Sequence, residues 1–264
     1  MLGMLTGAWR YRNFIISSIR TEFRVRFVRS RLGGLWMVLN PLAQVAIFAF
    51  ILSAVMSARL PGIDNRFAYA IYLTAGMLAW SLFVEIITRC LTIFIDNGNL
   101  MKKMAFPKIT LPLIVTGSAF VNNVLLLLAI LLIFAPLGHY PTAQLLWLPV
   151  LMAALTMLGL GLGLTLGVLN VFIRDIGQIV PVLLQFGFWF TPIVYMPDAI
   201  PEAYRGWLAL NPMYHVVKGY HNVLFFGETP LWGGIMVVAL VGMALLGFAL
   251  FLFRKAAPEM VDVL

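Results

Sequence analysis

Six long apolar runs, at about 35–58, 67–88, 109–137, 145–171, 176–196 and 231–253, divide this chain almost end to end. At 1.5 Å of rise per residue, a helix needs about 20 residues to cross the hydrocarbon core of a bilayer, and each run meets or approaches that length. Hydrophobic residues make up 62% of the sequence and charged ones 11%, too few to clothe the runs in a soluble shell. The expected fold is all-α: a polytopic membrane protein with six transmembrane helices. The spans consume most of the 264 residues, which leaves one transmembrane domain, 1–264, and no room for a separate soluble one.

Basic residues set the expected orientation. Arg10, Arg12, Arg20, Arg24, Arg26, Arg29 and Arg31 precede the first run, against Glu22 alone. Lys102, Lys103 and Lys108 follow the second run, Arg174 the fourth, and Arg254 and Lys255 the sixth. On the opposite side Arg59, Arg66, Arg205 and Lys218 are partly balanced by Asp64, Asp198, Glu202 and Glu228. Positive charge stays in the cytoplasm, so both termini are expected there. The net charge of +8 then reads as topology and attraction to anionic lipid, not as nucleic-acid binding. No cleavable signal peptide is expected, because charge runs through the first 34 residues. A single cysteine, Cys90, rules out a disulfide within the chain.

Residues 13–31 carry helical periodicity: Ile15, Ile19, Phe23 and Phe27 recur every four residues while Arg20, Arg24 and Arg31 fall on other faces. Such a basic amphipathic helix, within 1–34, lies in the membrane interface, as an anchor or as a partner contact. Gly33-Gly34 permits a bend before Trp36. The segment 96–108 is more specific. Asp96 or Asn97 caps a short helix that Pro107 ends, and Asn99, Met101, Lys102, Lys103, Met104 and Phe106 put apolar side chains on a basic, water-facing element. That composition fits a docking surface or a membrane-hugging loop. Arg174-Asp175-Ile176-Gly177-Gln178 fits a tight turn.

Within the runs, Glu85 and Arg89 stand four apart, share a helix face and come in the favourable order. They face a protein interior or aqueous cavity, or else snorkel to the interface. Two charges near one end make no proton relay, which argues against an ion-coupled carrier. Gly159, Gly163 and Gly167 form a small-residue stripe for close helix packing, with Gly161 adding flexibility on another face. Phe186, Phe188, Trp189, Phe190 and Tyr195 close the fifth run. Trp207 and Tyr214 follow in a Pro-rich segment, 197–225, too apolar for a solvent loop and too broken for a span. Short re-entrant helices fit that segment. The rings form either an interfacial belt or a lining that offers π faces to the C–H faces of sugars.

The sequence lacks a G-x-x-x-x-G-K-[ST] phosphate loop, so ATP is not bound by that route. His139, His215 and His221 lack metal-pair spacing, and no metal site is expected. No acidic pair suited to glycosyl transfer lies in the runs, which argues against a membrane-embedded transferase.

Several stretches resemble one family, the membrane subunits of polysaccharide-exporting ABC transporters, or Wzm-like permeases. They are Arg29-Ser30-Arg31-Leu32-Gly33-Gly34-Leu35-Trp36 with Asn40-Pro41-Leu42; Phe106-Pro107; Asn170-Val171-Phe172-Ile173-Arg174-Asp175-Ile176; and Thr191-Pro192, Ala199-Ile200-Pro201, Leu210-Asn211-Pro212 and Gly219-Tyr220. The resemblance implies a homodimer in the inner membrane of a bacterium, bound to two copies of a separate subunit that holds ATP and Mg. It implies no cofactor in this chain. Segment 96–108 becomes a coupling helix docking on that ATPase, 197–225 a periplasmic gate, and the rings near 186–195 the lining of a channel. The implied cargo is a polyprenyl-pyrophosphate-linked glycan, O-antigen first among the choices, with capsule or teichoic-acid glycan sharing the pattern and small-molecule efflux as the runner-up. Arg24, Arg26 and Arg29 are the candidates for meeting the pyrophosphate at the entrance.

Overall fold

The computed structural model describes residues 9–28, 68–103, 108–135 and 138–263, with isolated positions between 35 and 47. The expected first span, 35–58, therefore lies mostly outside the described residues. Those residues form helices and no strand: α1 (Arg12–Val28), α2 (Ala68–Asp96), α3 (Gly98–Lys103), α4 (Thr110–Phe134), α5 (Leu148–Phe172), α6 (Ile176–Phe190), α7 (Glu202–Leu208), α8 (Pro212–His221) and α9 (Trp232–Val263). Four are long and apolar enough to cross a membrane: α2, α4, α5 with the 3-10 turn Ala143–Trp147 before it, and α9 as far as Met260.

The fifth apolar run behaves differently from the sequence expectation. Its helix, α6, has 15 residues and stops at Phe190, about 22 Å at 1.5 Å per residue. Proline crowds the residue before it out of the helical region, and Thr191, which precedes Pro192, adopts φ −103° and ψ 130°. The buried stretch Thr191–Val194 then turns back into the bundle.

α2 is the axis of the molecule, with 20 of its 29 residues buried. Its neighbours are α5, α4 and α8. The glycine stripe sets the first contact. A Cβ at Gly163 would lie 2.9 Å from Cys90 Cβ and 3.1 Å from Ile87 Cα, and one at Gly167 would collide with the Cys90 carbonyl. Gly161, expected only to add flexibility, instead packs α5 on α9: a Cβ there would sit 2.7 Å from the Leu246 nitrogen. Gly242 of α9 answers it against the Leu158 nitrogen at 2.9 Å. Small residues let helices approach until backbones touch, which is what holds apolar helices together where lipid is as apolar as protein.

Asparagines fasten the same helices. Asn170 Nδ2 donates to the Leu91 carbonyl at 2.9 Å and Asn123 Nδ2 to the Leu78 carbonyl at 2.9 Å, tying α5 and α4 to α2. Arg174 and Asp175 are exposed in the tight turn expected of them, closed by Gly177 N–H to the Arg174 carbonyl at 3.1 Å.

Candidate functional site

A cavity of about 730 Å³ opens between α2 and α6. Ser81, Glu85 and Thr88 reach it from one face of α2, where steps of four and three residues repeat the helical turn. Pro181, Gln185, Phe188 and Trp189 reach it from α6, and Trp80 of α2 completes an aromatic end. The Trp80 and Phe188 rings meet edge to face at 5.8 Å, and Phe188 meets Trp189 at 5.4 Å. The hydroxyls of Ser81 and Thr88 donate to carbonyls of their own helix at 3.0 and 2.7 Å. What they offer the cavity is acceptor oxygen.

Glu85 is held by its surroundings. One carboxylate oxygen accepts from Asn122 Nδ2 of α4 at 2.7 Å, and the other from Arg89 at 3.4 Å. Arg89 makes its closer bonds elsewhere: its Nη2 lies 2.8 and 2.9 Å from the two oxygens of Glu22. Ser118 of α4 donates to Glu22 at 2.7 Å. The pair read from the sequence is thus part of a cluster joining α1, α2 and α4, at the end of the molecule that carries α3. Ile19 fits into the notch at Gly117, where a Cβ would clash with its side chain. The inner face of α1 is therefore seated on α4, while Arg20 and Arg24 are exposed.

The aromatic candidates separate. Phe188 and Trp189 line the cavity; Phe186 and Phe190, four residues apart, point to another face and are exposed. Tyr195 donates to the Trp189 carbonyl at 2.9 Å, closing the end of α6. Trp207 is exposed on α7, and Tyr214 lines a second cavity, of about 170 Å³, with Lys218 and Asp198. Trp80 and Gln185 were not singled out by sequence. The signal was present in the polar positions 81, 85 and 88, which share one helix face with Trp80 at its edge.

Of the pyrophosphate candidates, Arg24 is exposed on α1, the side chain of Arg26 is not described and Arg29 lies outside the described residues. Of the docking residues, Asn99 and Lys102 are exposed on α3. Met101, expected to face water, is 5% exposed. α9 continues past Arg254 and packs on α3, so that Met101, Ala256 and Met260 are buried in one apolar cluster. Lys108 Nζ holds the Ala257 carbonyl at 3.0 Å across the same junction. The Lys103 side chain, Met104 and Phe106 lie outside the described residues.

At the other end, two of the proline dipeptides singled out above meet. Asn211 caps α8 by accepting from the Met213 N–H at 3.0 Å, and its Nδ2 donates to Thr191 Oγ1 at 3.0 Å. Tyr69 and Tyr72 of α2 donate to the Val194 and Tyr195 carbonyls at 2.7 and 3.3 Å. His221, at the end of α8, stacks on Tyr72 with ring centres 3.7 Å apart.

A family model described as ABC-2 type transporter matches residues 14–225, most of the chain. This protein belongs to the ABC-2 type transporter family. The O-antigen export system permease protein RfbA of Klebsiella pneumoniae is 28% identical over 247 residues, covering 92% of each chain. RfbA of Myxococcus xanthus is 28% identical over 264 residues and 99% of each. The polysialic acid transport protein KpsM of Escherichia coli is 24% identical over 241 residues, 91% of this chain and 92% of its own. As a member of this family the chain is a multi-pass membrane permease rather than an enzyme.

Proposed function

We propose that this chain is the channel-forming membrane subunit of an ABC transporter that exports polyprenyl-pyrophosphate-linked polysaccharide, O-antigen of lipopolysaccharide, from cytoplasm to periplasm. The observation that carries the reading is the cavity between α2 and α6, where aromatic faces stand beside acceptor oxygens. Sugar rings present C–H faces and hydroxyl donors, and that wall matches both. Relatives named for O-antigen export, at full length, support the cargo. The polysialic acid relative supports a second reading, capsule export.

The working assembly is a homodimer in the inner membrane with two copies of an ATP-binding partner. Six spans per subunit require 35–58 and the α6 region to cross, with both termini cytoplasmic. α6 supports the dimer: only Val180 and Phe188 of its residues are buried, and large apolar side chains cover the rest. A second copy would cover them. Asn99 and Lys102 on α3 face the ATPase, which hydrolyses ATP on Mg in its own site. α3 leads directly into α2, whose side wall is the cavity and whose far end holds the 197–225 region as a gate. Force on α3 therefore reaches the cavity through one helix. Arg24, Arg26 and Arg29 meet the pyrophosphate at the entrance.

Trp189→Ala tests the lining. Aromatic contacts are each worth about 0.5–1.5 kcal/mol, so export should fall by roughly two- to tenfold with membrane abundance unchanged. Loss of export only in proportion to abundance would make the ring structural and remove it from the channel.

A further inference from the structure

Glycan repeats of either class named above come neutral or acidic, and the cavity wall bears on which of the two it accepts. Among the described residues lining the cavity, Glu85 is the only one with an ionisable carboxylate or a cationic group. Its neighbours Ser81 and Thr88 present acceptor oxygens, since their hydrogens are spent within α2. Among the described residues the nearby cation, Arg89, is shared: it lies 2.8 Å from Glu22 and 3.4 Å from Glu85, so the two carboxylates and one guanidinium keep a net negative charge, and Arg89 does not line the cavity. Elsewhere the six apolar runs contain no Asp, Glu, Lys, Arg or His. Whichever of them complete the conduit, and however a second copy contributes, they add no counter-charge.

We propose that this permease passes glycans whose repeat units are uncharged, and that Glu85 is the residue that excludes repeats bearing carboxylate or phosphate. The proposal rests on the export reading above and names its substrate class. A neutral sugar donates its hydroxyls to Glu85, Thr88 and Ser81, exchanges hydrogen bonds with Gln185 and lays its ring on Trp80 or Trp189. A polyanion brings like charge against the part-buried Glu85 carboxylate between two protein walls, where repulsion is screened less than in bulk. It meets that repulsion at every repeat. The pyrophosphate of the lipid carrier differs, because it passes once per chain and starts beside the N-terminal arginines.

The test uses inverted membrane vesicles of the native host, with the transporter complete. Two polyprenyl-linked glycans of equal length are supplied with ATP, one neutral and one carrying a carboxylate in each repeat, and the material protected inside the vesicles is measured. Wild type should favour the neutral glycan by on the order of tenfold, the effect of one like-charge contact at a part-buried site near a protein surface. Glu85→Gln should narrow that ratio, whatever happens to the overall rate, and Gln185→Glu should widen it. Gln185→Lys, which leaves the Glu85 hydrogen bonds untouched, should narrow it even if Glu85→Gln fails to insert. Equal transport of both glycans by wild type, or a ratio unmoved by the inserted variants, overturns the filter and leaves the export reading standing. Transport of neither glycan by wild-type vesicles overturns both.

Discussion

Gly163 and Gly167 have no side chains because the backbone of α2 occupies the space a Cβ would need. Gly163→Leu forces α5 away from α2, and overpacking of this kind costs about 1–3 kcal/mol. The detergent-solubilised variant should melt at a lower temperature than wild type. Gly233→Ala, where nothing lies within 4 Å, should not change it. An equal effect of the two would remove the packing account of the stripe. This much was legible in the sequence, since spacing by four residues places glycines on one face whatever the partner is. The partner of Arg89 was not. Glu85 is four residues away and was found; Glu22 is 67 residues away and binds more closely. Only the docking of α1 onto α4, through Ile19 and Gly117, brings that second carboxylate within reach.

The helices themselves followed the apolar runs where a helix could satisfy its own backbone, and departed where a proline or a packed neighbour intervened. α6 ends at Phe190 because Pro192 acts on Thr191, although hydropathy continues to Met196. α9 was expected to end near 253 and runs to Val263 despite Pro258, its final turns packed on α3. Periodicity in a six-residue helix cannot say which side a helix from the far end of the chain will cover, and this is why Met101 was assigned to water. The two faces of α3 give opposite expectations. Met101→Asp places a charge in the apolar cluster and should lower membrane abundance severely. Lys102→Glu, on the exposed face, should leave abundance unchanged while ATP hydrolysis continues without export. Normal export in Lys102→Glu membranes would take this face out of coupling.

Taken as one body, the molecule is built around α2, which touches the α3 junction at one end, the cavity along its side and the 191–195 segment at the other. The membrane class and the family were legible from apolar length and scattered motifs. The cavity was not, because its walls come from helices about 100 residues apart and only their packing makes Trp80 a neighbour of Phe188. The Thr191-Pro192 and Asn211-Pro212 dipeptides, noted separately in the sequence, are one hydrogen-bonded unit. That unit joins the end of α6 to the segment proposed as the outer gate, and export of glycan is the central claim. The most direct measurement is the location of lipid-linked glycan after deletion of this gene in a host with no second exporter. The account predicts accumulation on the cytoplasmic face of the inner membrane and loss from the cell surface. Unchanged surface glycan would contradict it.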